Sequence, residues 1–589
     1  MVKINKTLGL ALLTALAASC SSDNDVAQSN NPEIENGEAA YATLRIDLPT
    51  QQGVRALEGF DDGLASEYTV NDAKLLVFKK GTATSEGEYT FVESVDLGNM
   101  NPWKDQKSGG ITTTANVTAE LKNVSQTDLT ENNIYGLVIL NNKKSADGKD
   151  LKIALPSKEG TTYSAWNVPD NVTSSSMTDI SNGIVMANAP EWQTSGDPKT
   201  LVPIDVTKVK PTAAQAEAAG AAATIHVERG LAKVTMAPFT ETHPTGSSYS
   251  NDNVAIDAWT LDVTNKYSFP VHNINGLSGN DNYAKIWAST AETTTVGDKT
   301  VTSARFHDTT DNTFKRVYWG IDPNYDSKTQ QLNLATSLDD CKKAFTMVHD
   351  MDANGQKAAF KTDFGIDHPQ YCLENTFDIN NMTQGQTTRV VIKATYKLGD
   401  NTAATFFKIA KKPELYNETN FKQIITSYLS TLGLTETTDY TLTLNDKNND
   451  MTAAGTRAFN EHNFTIATSS KTTETAATLA SKVNSYLNGE VSTYPDGVCY
   501  YIGRIKHFGD DETPWNAGEL YGTNNLRYLG RYGVLRNNWY SLSINSISGP
   551  GEPIVPPVVP ENPDDDNNHY INLSVKILQW AKRSQNLDL

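Results

Sequence analysis

The sequence predicts a mainly β protein: two β-sandwich domains, the second with inserted helices, and a separate β-strand at the C-terminal end. Three observations carry this. The 589 residues are too many for one hydrophobic core, so at least two domains are expected. Short apolar runs with a two-residue alternation recur along both halves with few helical patterns between them, the spacing of a sandwich. Threonine, serine and asparagine are abundant beside 24 tyrosines, a composition suited to strands. Hydrophobic residues at 38% and charged residues at 20% are ordinary for a globular protein. A net charge of −19 repels nucleic acid and anionic membrane alike.

The chain starts with Lys3 and Lys6 ahead of an apolar run at 7–18, too short to span a bilayer and shaped as a signal peptide over residues 1–19. Ala17-Ala18-Ser19 before Cys20 resembles the lipobox of bacterial lipoproteins, which implies a lipid such as palmitate on Cys20 and a precursor held at the outer membrane. A plain signal peptide with an incidental cysteine is the simpler alternative. Ser21, Ser22, Asp23 and Asp25 are similar to the acidic export tag of Bacteroidetes-type surface lipoproteins. Residues 21–39 read as a polar leader.

Residues 41–48 then alternate strictly. Ala42, Leu44, Ile46 and Leu48 face one way and Thr43, Arg45 and Asp47 the other, a half-buried strand. Residues 51–59 form a Gly-containing loop. Further strands are expected at 73–78, 134–140, 184–187 and 224–236, with 211–224 as a helical connector. The domain boundary is placed near residue 240, giving domains at 56–239 and 240–548. The second domain's strands fall at 258–263, 389–396, 499–502 and 539–547. Two helices interrupt it. One carries Phe421, Ile424, Ile425, Tyr428, Leu429 and Leu432 as a core-facing stripe and stops at Gly433; the other carries Leu479, Val483, Tyr486 and Leu487 and stops at Gly489.

No catalytic constellation stands out: GxSxG, HExxH, GxxxxGK[ST] and GxGxxG are absent, and His349 and His507 are isolated. The protein is expected to be no enzyme and to need no cofactor. Asp350-Met-Asp-Ala-Asn-Gly355 matches half of a calcium-binding EF-hand loop, but Lys361 stands where a glutamate should complete the shell, so a surface turn is the preferred reading. Cys341, Cys372 and Cys499 lack CxxC spacing and are expected as buried free thiols, although one pair could oxidise outside the cell.

The last residues raise the main question. Ile571, Leu573, Val575 and Ile577 alternate with Asn572, Ser574 and Lys576, and Leu578 and Trp580 extend the apolar contact. They follow residues 549–568, whose six prolines and three consecutive aspartates read as a stiff, extended tether. The first and last strands therefore share one pattern and suit one kind of slot. Either each belongs to its own domain, or the last strand fills, in a second copy, the space that the first vacates, as in donor-strand complementation. Arg55, directly after the first strand in Gly-Val-Arg-Ala-Leu, offers a trypsin-like protease a place to cut before Ala56. That cut would free residues 20–55.

The C-terminal YINLSVKILQWAKRSQNLDL, preceded by GRYGVLRNNWYSLSINSISGPGEP, resembles the C-terminus of the Mfa1-family fimbrial subunits of Bacteroidetes, the type V pilins. IHVERGLAKV at 225–234, RVYWGIDPNY at 316–325, YCLENTF at 371–377 and CYYIGRIKHFGD at 499–510 agree, so the likeness spans nearly the whole chain. The resemblance implies two transthyretin-like sandwiches, a propeptide at 20–55 removed by an Arg-specific protease after Arg55, and a tether and donor strand at 549–589. It also implies polymerisation by strand exchange into a surface fimbrium that supports adhesion and biofilm formation, with further copies and accessory, anchor and tip subunits as partners. Tip subunits typically lack the terminal strand, so its presence favours the stalk. The alternatives are a tip or accessory fimbrillin, or a monomeric glycan-binding surface lipoprotein, which would show an exposed aromatic platform; Trp103, Trp166, Trp192 and Trp515 are scattered.

Overall fold

The computed structural model describes residues 40–579 apart from 49–63, 99–112, 146–149, 194–197, 275–292, 297–298, 303–305, 307–313, 326–333, 335, 349–359, 377–381, 400–401, 411, 471, 517, 520, 523–526 and 567–570. The fold is mainly β. Its N-terminal part holds β1 (Ala40–Leu48), β2 (Ala73–Lys79), β3 (Thr90–Asp96), β4 (Thr113–Leu121), β5 (Ile134–Leu140), β6 (Met186–Asn188), β7 (Val202–Pro203) and β8 (Ala223–Arg229). They form one sheet in the order β3-β2-β5-β6-β8-β1-β4, with β7 beside β5. The sheet folds over a core to which β2 gives Leu75 and Val77, β5 gives Val138 and Leu140, and β8 gives Ile225 and Val227. The opposite side chains of β2 and β5, Leu76, Phe78, Leu137 and Ile139, pack with Tyr163 and Trp166. Two-sided burial explains why these strands read as unbroken apolar runs.

The expected strand at 224–236 is two strands. β8 stops at Arg229, and after Gly230 the chain enters a different sheet as β9 (Leu231–Met236). The change of sandwich thus falls ten residues ahead of the expected 239/240 boundary.

The C-terminal sandwich faces a three-stranded sheet, β10 (Asn253–Asp262) with Arg389–Lys397 and Val498–Arg504, against a four-stranded one. The latter runs Gln370–Leu373, β9, Asn538–Ile547 and Ile571–Gln579. Val234, Trp259, Ile392, Tyr396, Tyr501, Leu542 and Val575 meet between them. The connection between Arg389–Lys397 and Val498–Arg504, which pair antiparallel, is no hairpin turn. It contains a unit with its own core of Phe407, Phe421, Ile425, Leu429, Val483 and Val491. The two expected helices lie here, as Glu418–Thr431, capped by the Asn417 side chain accepting from the Asn420 amide, and Ala476–Leu487, closed by Asn488 in the left-handed region. Leu432 and Tyr486, expected to face the core, are more than 40% exposed. Tyr486 instead stacks on Tyr428 across the helix pair.

Buried charges lock the two sandwiches together. Lys233 of β9 lies 2.7 Å from the Glu67 carboxylate, which also accepts from the Tyr371 hydroxyl, and Arg229 of β8 donates to the Glu67 carbonyl. Nearby, His272 sits 2.6 Å from Glu228 and 2.7 Å from Glu374, with Arg316 on Glu228. Burial alone would strip the His272 proton, but Glu228 and then Glu374 hold its pKa above the ordinary 6.5.

Candidate functional site

The first strand is a central element of its sheet. β1 pairs with β4 over its full length, from Ala40 opposite Leu121 to Leu48 opposite Thr113, and runs parallel to β8 from Leu44 to Asp47. Ala40, Ala42, Leu44, Ile46 and Leu48 are at most 1% exposed and join the N-terminal core. The apolar positions thus all face this core, while on the other face Thr43 is buried as well and Arg45 is exposed. On the other face Arg45 pairs with Asp47, and the Thr43 and Thr118 hydroxyls lie 3.0 Å apart. Among the described residues β4 has β1 as its one strand partner. Taking β1 away therefore parts β4 from β8 and leaves a nine-residue slot lined by Ala115, Ala119, Ile225 and Val227.

The last strand occupies a different place. Ile571–Gln579 is also nine residues long and lies at a sheet edge, antiparallel to Asn538–Ile547, with Val575 opposite Leu542. Val575 is buried in the C-terminal core. Leu573 lies over Gly503, where a Cβ would come within 2.5 Å of its Cδ2, so a larger residue there would push the leucine tip aside. Within a single chain the two end strands do not meet; each fills a slot in its own sandwich. Ile571, Ile577 and Leu578 belong to the last strand, and Trp580 lies outside the described residues. So do Cys20, Arg55, Ala56 and Asp350 to Gly355. Leu64, where the chain is next described, is tied to the body by its amide donating to the buried Glu67 carboxylate.

The segment expected as a stiff, extended tether lies against the body instead. The Gly549 and Gly551 carbonyls accept from the Tyr501 and Tyr494 hydroxyls, and the Pro556 carbonyl from Arg389. Glu552 bridges to Tyr500 and Pro563 to Thr383, and Val558 is buried. Asp564, fully buried, lies 2.9 Å from Arg504 and accepts from Thr387. Asp565 accepts from Arg531, Tyr521 and Tyr532; although burial opposes its charge, these bonds and the Arg531 guanidinium hold its pKa below the usual carboxylate range. The physical reason is that prolines lack an N–H but keep a carbonyl. Such a segment cannot form a ladder of its own, yet it satisfies tyrosine and arginine donors. Those donors are distant in sequence, so composition alone gave no sign of them.

Cys341, Cys372 and Cys499 are buried free thiols, as expected. Among the described residues no cluster of His, Cys, Asp and Glu could hold a metal, and no helix is long and apolar enough to cross a membrane. Of the scattered tryptophans, Trp166 is buried, Trp192 and Trp515 are partly buried against the cluster of Phe306, Trp319 and Tyr528, and Trp103 lies outside the described residues.

Residues 492–586 match the family model described as major fimbrial subunit protein type IV, fimbrillin, C-terminal. The match begins within Val491–Tyr494, takes in the sandwich strands Val498–Arg504 and Asn538–Ile547, and runs past the terminal strand Ile571–Gln579. No curated protein matches the chain. Among solved structures, a fimbrillin from Porphyromonas gingivalis W83 is 12% identical and aligns over 94% of this chain and 100% of its own, with a TM-score of 0.34. A cell adhesion protein from Parabacteroides distasonis ATCC 8503 is 9% identical over 94% and 100%, at 0.37. The tip fimbrial protein Mfa3 of Porphyromonas gingivalis, truncated at its C-terminus, is 11% identical over 92% and 100%, at 0.24. At these scores the sandwich topology rests on the strand pairing above.

Proposed function

We propose that this chain, which carries a fimbrillin C-terminal region at residues 492–586, is a stalk subunit of a cell-surface fimbrium that polymerises by exchanging its end strands. The observation that carries the proposal is the position of β1, an internal strand whose apolar face is fully buried and that β4 depends on for its pairing. It is joined to the rest of the body through residues 49–63, which include Arg55. An Arg-specific protease cutting after Arg55 would leave β1 held by packing and hydrogen bonds alone, with Cys20 and its lipid on the part that departs.

The direction of exchange follows from the pairing. At home, Ile571–Gln579 has one strand neighbour among the described residues. In the slot between β4 and β8 of another copy it would have two, and each added backbone hydrogen bond contributes about 0.5–1.5 kcal/mol net. Its apolar positions would replace Leu44, Ile46 and Leu48, each worth about 1.5–3 kcal/mol when buried. While β1 is in place the slot is closed and the terminal strand rests on its own sheet. Once β1 is gone, the open slot is the better site. Repeated head to tail, this gives a homopolymer to which accessory, anchor and tip subunits attach, and the fibre supports adhesion and biofilm formation.

The test is the N-terminus of protein sheared from cells. A start at Ala56 is expected in fibres, and Arg55→Ala should accumulate as the lipidated precursor. Fibres built of chains that still begin at Cys20 would overturn the proposal.

A further inference from the structure

We infer that Asp564 and Asp565, with Arg504 and Arg531 opposite them and Gly385 against Pro560 upstream, are the positioning residues of strand donation: they fix the point on each subunit from which its terminal strand leaves. This rests on the strand-exchange reading above.

The geometry is that of a mooring. Asp564 is fully buried against Arg504 and Thr387. Asp565 receives Arg531 through Nη2 at 2.8 Å and Nε at 3.0 Å, with the Tyr532 hydroxyl at 2.8 Å and the Tyr521 hydroxyl at 2.5 Å. Arg531 is itself buried and also reaches Asp510 and the Thr513 carbonyl. Upstream, the chain lies directly on Gly385, where a Cβ would come within 3.0 Å of the Pro560 Cα. Burying carboxylates is costly unless they are paired, and such pairs select one arrangement more than they add stability. A segment that served only as a flexible leash would need none of this.

The consequence is a matter of reach. Between Asp565 and Ile571 stand five residues, 566–570, so the start of the terminal strand lies at most about 22 Å from the moored point in any conformation. Were residues 549–570 free, a Pro-rich chain at about 3.1 Å per residue would reach about 70 Å. The mooring therefore confines the acceptor subunit to a narrow range of distance and direction. It also raises the effective concentration of the strand at that acceptor, which falls with the −3/2 power of linker length or more steeply.

The experiment uses the full chain with Asp564→Asn/Asp565→Asn, and separately Gly385→Ala, which presses on Pro560 and on the buried Cys341 Sγ without touching a charge. Hydrogen exchange at residues 549–566 of the monomer reports the mooring, and electron microscopy of fibres reports axial repeat and persistence length. In at least one variant, protection of 549–566 should fall tenfold or more while the rest of the chain stays protected. Fibres of that variant should have a persistence length reduced severalfold and a broadened repeat. Loss of protection with a wild-type repeat and stiffness would overturn the inference, as would full protection in both variants. A deletion of 571–589 separates this from the parent reading. If that deletion still polymerises, strand exchange fails; if it does not, while unmoored fibres match wild type, only the positioning role fails.

Discussion

Leu44→Ala separates a strand that is discarded from one that stays. Leu44 has no exposed surface, lies opposite Val117 on β4 and Ala223 on β8, and belongs to the N-terminal core. Cutting a buried leucine to alanine costs about 2–5 kcal/mol. In a domain of this size that is about 4–20 °C of melting temperature at about 2–4 °C per kcal/mol. Uncleaved Leu44→Ala monomer should lose that much in a thermal melt followed by circular dichroism. Assembled fibres should lose nothing in guanidinium dissociation, because residue 44 has left and the donor's side chains fill the slot. Ile225→Ala on β8, equally buried, lines the slot from the side that remains, so it should weaken both precursor and fibre. If Leu44→Ala fibres were weakened as much as Ile225→Ala fibres, β1 would still be part of the fibre and the reasoning would fail.

Other outcomes follow from the same geometry. Thr43→Cys/Thr118→Cys joins side chains whose hydroxyls lie 3.0 Å apart, close enough for a disulfide; the oxidised subunit should be cleaved yet fail to polymerise until reduced, and polymerisation without reductant would contradict this. Val575→Asp puts a carboxylate into an apolar core and should weaken the terminal strand's seat by at least about 2 kcal/mol; an unchanged denaturation profile in monomer and fibre alike would show that the residue faces water. His272, flanked by Glu228, Glu374, Arg316 and Arg536, keeps its proton above pH 6.5, so its stabilisation is complete below pH 6.5 and is lost as pH rises through the raised folded pKa. Melting temperatures from pH 6 to pH 9 should fall more steeply for wild type than for His272→Gln, and parallel curves would refute the assignment.

The two end strands were legible because alternation is a local signal. One residue in two is apolar in 41–48 and in 571–577, and one face of β1 is buried at every such position. The helices at 418–431 and 476–487 were legible from local spacing too, although their N-caps Asn417 and Thr475 were not read and the second closes at Asn488, one residue before the expected Gly489. What a local pattern could not carry was partnership at long range. The arginines that moor Asp564 and Asp565 stand at 504 and 531, and nothing near residues 549–568 announces them. Likewise 224–236 reads as one strand, because the side-chain pattern runs on through Gly230 while the backbone changes sheet. The separate core at 407–491 was missed because its stripes were assigned to the surrounding sandwich, leaving Tyr486 and Leu432 inside on paper and outside in the fold.

The most direct measurement is a high-resolution density map of the native fibre at the slot between Thr113–Leu121 and Ala223–Arg229. Residues 571–579 of an adjoining subunit should run through it, with the edge of Asn538–Ile547 vacated. Finding Ala40–Leu48 still seated there, or each chain's final strand still on its own sheet, would contradict the account.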